Sequence, residues 1–128
     1  MRVRGLTFVG TSTDARERMA VLVRDVLGLP SVPVEGSGHD FFALPDGSTF
    51  AIGSSDGAGG DGRTVGFLVD DVDQGAAELR AAGVPTDDEV SVNAWYRYAH
   101  FRAPDGHVYE LVEQIEPPGS SSRPPERR

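Results

Sequence analysis

The chain says the same thing twice. Val9, Gly10 and Asp14 recur as Val65, Gly66 and Asp70; Gly28 and Pro30 recur as Gly83 and Pro85; Pro45-Asp46-Gly47 recurs as Pro104-Asp105-Gly106. The order is kept and only small insertions separate the copies. At 128 residues the chain has the size of one ordinary domain, so the repeat predicts two similarly built halves within a single fold.

Each half opens with a β-type run, Leu6 to Thr13 or Thr64 to Val69, and passes directly into a helical pattern. In the first, Asp14 and Glu17 form a capping-box-like start, and Met19, Leu22, Val23 and Val26 keep one apolar face before Gly28. In the second, Asp70 or Asp71 caps the helix, Val72, Ala76 and Leu79 supply the stripe, and Gly83-Val84-Pro85 ends it. Short strands follow, the last two in each half joined by the Pro-Asp-Gly turn. Proline presets the first corner of a type I turn, aspartate suits the second, and glycine takes the left-handed position of a G1 bulge.

A three-residue loop fixes the register beside it. His100 should stand opposite Glu110, Phe101 opposite Tyr109, and Ala103 opposite His107. Period-two alternation then puts Phe101, Ala103, Tyr109 and Leu111 toward the helices, with Phe42, Leu44, Phe50 and Ile52 in the first half. Tyr98, His100, Arg102, Val108, Glu110 and Val112 share the other face with His39, Phe41, Ala43, Thr49, Ala51 and Gly53. That second face is the more polar one and is where a ligand would be met.

Composition excludes several chemistries. Without cysteine there is no disulfide, thiolate metal site or cysteine nucleophile; all twelve basic residues are arginine, so no lysine can form a Schiff base. A formal charge of -8 argues against nucleic acid or an anionic membrane as partner. No run spans a bilayer and MRVRGLTFVG lacks a secretory h-region, so the expected compartment is the cytoplasm. Residues 1–116 are expected to be one domain: a first module over about 3–54, a glycine-rich connector over 54–63, and a second module over about 64–116. The Pro/Ser/Arg-rich residues 117–128 read as a solvated tail.

Two βαβββ halves, with RDVLGLP in the first and VGFLVDDVDQGAAELRAAGVP in the second, together with HFRAPDGHVYELVE, resemble the vicinal oxygen chelate superfamily of glyoxalases, bleomycin-resistance proteins and extradiol dioxygenases. The resemblance implies an α+β fold of two tandem modules whose sheets curl into an open barrel-like cleft with helices outside, and a homodimer. Metal-dependent members draw His, Glu or Gln ligands from the first and last strand of each module. Those positions fall here on Phe8, Ala51, Thr64 and Glu110, of which only Glu110 is a competent ligand. No metal or other cofactor is therefore expected, and a separate cluster of His39, His100 and Glu110 is the remaining arrangement that could hold one.

The sharpest chemical proposal is the pair His100 and Glu110. The carboxylate would raise the imidazole pKa and make it a general acid or base near neutral pH, with Arg102 steadying an oxyanion. The plainer reading is a cross-strand pair that satisfies itself. For ligand binding the candidates are Phe8, His39, Phe41, Thr64, Leu68, Trp95 and Tyr98. The favoured expectation is a metal-independent protein that sequesters or carries a small organic molecule of aromatic or cationic character. The alternatives are an enzyme, whether a metal-free isomerase, cyclase or lyase or a metal-dependent lyase or dioxygenase, and a non-catalytic interaction domain.

Overall fold

A computed structural model describes residues 1–35, 38–54 and 62–115; most of the connector and the whole tail fall outside that range. The element order is β1 (Val3–Thr13), α1 (Arg16–Val21), β2 (Ser31–Val32), β3 (Asp40–Ala43), β4 (Thr49–Ser54), then β5 (Gly62–Val69), α2 (Val72–Ala81), β6 (Ser91–Val92), β7 (Tyr96–Arg102) and β8 (Val108–Gln114). This is βαβββ twice. The eight strands form one sheet in the order β2-β3-β4-β1-β5-β8-β7-β6. β1 and β5 pair antiparallel at its centre, and each pairs in parallel with the last strand of its own module.

The two Pro-Asp-Gly turns are built alike. Gly47 and Gly106 sit at φ +90° and +86°, and their N–H groups donate to the carbonyls of Leu44 and Ala103. Asp46 and Asp105 each accept the backbone N–H two residues on, from Ser48 and His107. The register follows from this loop: His100 pairs with Glu110 and Phe101 with Tyr109, as the turn chemistry predicts.

α2 matches its sequence pattern closely. Asp71 is the cap, its side chain accepting the Gln74 N–H at 3.1 Å. The helix ends in a Schellman arrangement, with Gly83 at φ +82° and Val84 N–H donating to Leu79 O at 2.9 Å. Its stripe buries Val72 and Ala76 against Ala99 and Leu111 of the sheet. Asp70 instead pairs with Arg4.

The first helix departs from expectation. Its N-cap is Ala15, with no side-chain cap, and it continues after Val21 as a π turn over Leu22–Val26 closed by Leu27 N–H to Leu22 O at 2.9 Å. The wider turn rotates the predicted stripe. Val23 is buried with Phe42 and Ile52, whereas Leu22 and Val26 face outward. Among the described residues no helix is long and apolar enough to cross a membrane.

Candidate functional site

Burying the helix-facing residues of both modules leaves the opposite face concave. There β3, β4, β1, β5, β8 and β7 line a cleft of about 140 Å³, close to the size of a cavity that takes one benzene ring. Its walls carry Phe8, Phe41, Tyr96 and Tyr98; its polar groups include Thr11, Ser12, Thr64, Asn93, His39, His100 and Glu110. Mostly apolar walls with a few convergent polar groups are what a ligand pocket needs.

Glycine shapes the floor. A side chain at Gly66 would stand 2.5 Å from the Phe8 ring, and one at Gly10 would stand 3.0 Å from it. The two glycines that recur in the repeat thus form a slot in which Phe8 lies across β1 and β5. Gly53 does the same for His39, whose ring lies where a Cβ would be and meets Phe41 edge-on.

The polar side of the cleft is a row of three charged groups. Asp87 Oδ2 is 2.9 Å from His100 Nδ1, and His100 Nε2 is 2.8 Å from Glu110 Oε2. Side-chain exposure falls along the row, 39% for Asp87, 21% for His100 and 12% for Glu110, so it runs from the surface inward. Burial by itself would lower the imidazole pKa. The hydrogen bond and charge of Glu110, joined by those of Asp87, outweigh it and raise the pKa from 6.5 to about 9. At neutral pH both ring nitrogens therefore donate, and His100 is an imidazolium between two carboxylates. It cannot accept a proton in that state, so of the general acid or base expected from the sequence only the acid role is open to it at neutral pH. Tyr98 meets the ring edge-on at 5.7 Å, and burial with the nearby Glu110 charge raises its own pKa.

Of the candidate residues Phe8, His39, Phe41, Thr64, Tyr98, His100 and Glu110 line the cleft; three do not. Arg102 turns away along the hairpin, and its guanidinium donates to Gly106 O at 2.5 Å. Trp95 is buried in the core beside Val34 and Tyr96. The cause is local: Asn93 Oδ1 accepts both the Trp95 and Tyr96 N–H groups, and the turn so made aims Tyr96 into the cleft. Leu68 lies one alternation beyond Gly66, opposite Val112, past the cleft lining.

Sequence reasoning missed Asp87. It sits in a segment without strand periodicity, which nevertheless runs along β7 through Asp87 N–H to His100 O and Arg102 N–H to Pro85 O. Nothing local distinguishes it from Asp88 or Glu89.

The four superfamily ligand positions, Phe8, Ala51, Thr64 and Glu110, do converge on the cleft. They do not fit a metal. A phenyl ring and a methyl group offer no donor, and the one carboxylate is engaged by His100. Among the described residues no group of three or more His, Asp or Glu side chains is arranged to hold a metal ion, so His39, His100 and Glu110 do not make the alternative cluster.

A family model described as glyoxalase/bleomycin resistance protein/dioxygenase superfamily matches residues 17–111. No curated protein matches the sequence. Among solved structures, methylmalonyl-CoA epimerase from Mycobacterium tuberculosis is similar with a TM-score of 0.72 at 22% identity, covering 89% of this chain and 90% of that one. Streptomyces coelicolor methylmalonyl-CoA epimerase, as a variant in complex with 2-nitronate-propionyl-CoA, gives 0.71 at 20% identity, covering 90% and 100%. A hypothetical protein from Bacillus halodurans gives 0.70 at 17% identity, covering 90% and 97%. At these identities the likeness is one of fold.

Proposed function

The chain belongs to the glyoxalase/bleomycin resistance protein/dioxygenase superfamily, and on that footing we propose that its cleft binds a compact organic molecule without a metal, for sequestration or carriage. The observation that supports this reading is the setting of Glu110. Among the described residues it hydrogen-bonds only His100, through Oε2, so Oε1 keeps its acceptor capacity in an aromatic cleft. One imidazolium between two carboxylates leaves a net negative charge there, and among the described residues no arginine lines the walls. The favoured ligand is thus a neutral or cationic donor whose flat part rests on Phe8, Phe41 or Tyr98, with cation–π attraction available to an ammonium.

The test is a melting screen of chelator-treated protein against small aromatic amines and related compounds. A ligand that binds only the folded state raises the melting temperature by mass action. Glu110→Gln should weaken the best compound about tenfold, the worth of one charge-assisted hydrogen bond. Absence of any shift across a broad library would remove the proposal.

The same carboxylate supports a second reading, an enzyme that moves a proton. Glu110 is placed to accept a proton from a carbon acid in the cleft, with the His100 charge beside it, and the fold is shared with epimerases. It predicts that stabilising compounds exchange a C–H for deuterium in D₂O faster with the protein than with Glu110→Gln. Equal rates would leave carriage alone.

A further inference from the structure

We propose a second ligand site, for a phosphate-type oxyanion, in the depression of about 450 Å³ beside the β7–β8 turn, where Arg63, Arg102 and His107 meet. It is independent of what the cleft binds. In a chain with twenty acidic and twelve basic residues, carboxylates are plentiful enough to pair the arginines. Arg4, Arg16, Arg24 and Arg97 are so paired. Among the described residues Arg2, Arg18, Arg63, Arg80 and Arg102 have no carboxylate within ion-pair distance, and of these Arg63 and Arg102 line the same depression.

Among the described residues no acidic side chain lines it. The nearest carboxylate in sequence, Asp105, is turned into the hairpin, where it accepts the His107 N–H at 3.0 Å and the Tyr109 hydroxyl at 2.7 Å. Arg102 is held in place by its bond to Gly106 O, so part of its orientation is set before any ligand arrives. The remaining guanidinium N–H groups suit the planar, bidentate geometry that phosphate oxygens accept.

The repeat shows that the fold does not require this charge. Arg63, Arg102 and His107 correspond in the first module to Thr7, Ala43 and Ser48, and the first Pro-Asp-Gly turn forms without them. Turn chemistry accounts for both hairpins equally and for the basic groups of neither. Tyr109, which also lines the depression, is stacked between Phe67 and Phe101 and so gives the depression a fixed wall beside the cations.

The oxyanion could be free phosphate or the phosphoryl group of a larger molecule, and two probes separate these sources. Amide NMR of the full chain at low ionic strength, titrated with inorganic phosphate and with phenyl phosphate, should show saturable shifts at Val65, Gly106 and His107 that weaken with added salt. Equal affinity for the two supports a free-phosphate site; tighter binding of phenyl phosphate supports a larger ligand whose organic part is also held in the depression. Arg63→Gln, whose side chain has no partner to lose among the described residues, should weaken binding about tenfold while the melting temperature is unchanged. Arg102→Gln should do the same. The proposal is overturned if phosphate does not saturate by tens of millimolar, or if both variants bind it as the parent does.

Discussion

His100 is the residue on which the polar side of the cleft depends, and its charge can be read directly. Nitrogen-15 NMR should find both ring nitrogens protonated at pH 7, with titration near pH 9 in place of the ordinary 6.5. Glu110→Gln should move that titration substantially toward 6.5, and Asp87→Asn should move it less, since the hydrogen bond and charge of Glu110 act on the ring more strongly than those of Asp87. A titration near 6.5 in the parent would mean that the row of charges does not form in solution. The apolar side is tested at Gly66. Gly66→Ala drives a methyl group into the Phe8 ring and should destabilise the fold by about 1–3 kcal/mol. Removing the ring as well, in Phe8→Ala/Gly66→Ala, should cost less than the sum of the single changes. Additive costs by chemical denaturation would show that the slot is not what Gly66 provides.

Among the elements, those with strict periodicity or defined turn chemistry were legible from the residues. The loop residues Pro104, Asp105 and Gly106 dictate which residues face each other, so the His100–Glu110 pair could be placed by counting alone. α2 could be bounded because cap, stripe and C-terminal glycine agree. Asp71→Ala should lower stability by about 1 kcal/mol through its lost bond to Gln74 N–H, measured by urea denaturation; Asp70→Ala should change it little, its ion pair with Arg4 being exposed. What could not be read lies where irregular backbone decides. The π turn after Val21 rotated Leu22 and Val26 outward, the Asn93 turn exchanged Tyr96 for Trp95, and Asp87 reached His100 through a segment with no pattern to betray it. Arg102 kept the predicted strand face only in its backbone, because a long side chain can fold over a neighbouring turn.

For the molecule as a whole, the half-buried charge row links stability to pH. His100 is held at about 9 in the folded chain against 6.5 for an ordinary imidazole, so its ion pairs stabilise fully below about pH 6.5. That contribution is lost as pH rises through about 9, up to roughly 3 kcal/mol. The unfolding free energy should fall over this window, and His100→Gln should flatten the fall; an unchanged profile would place the pH dependence elsewhere. The two modules share one sheet, yet their chemistry is unequal: the first lends Phe8, Phe41 and a methyl-sized Ala51, the second lends Glu110, His100 and Asp87. On the proposed reading an apolar body and a polar head are held on opposite sides of one cleft without a metal between them, which such asymmetry suits. Calorimetric titration of the best stabilising compound into chelator-treated protein, repeated after adding back divalent iron, zinc, manganese and nickel, decides the matter. The expected result is the same dissociation constant in every case and a weakened one in Glu110→Gln; binding that appears only with a metal present would contradict it.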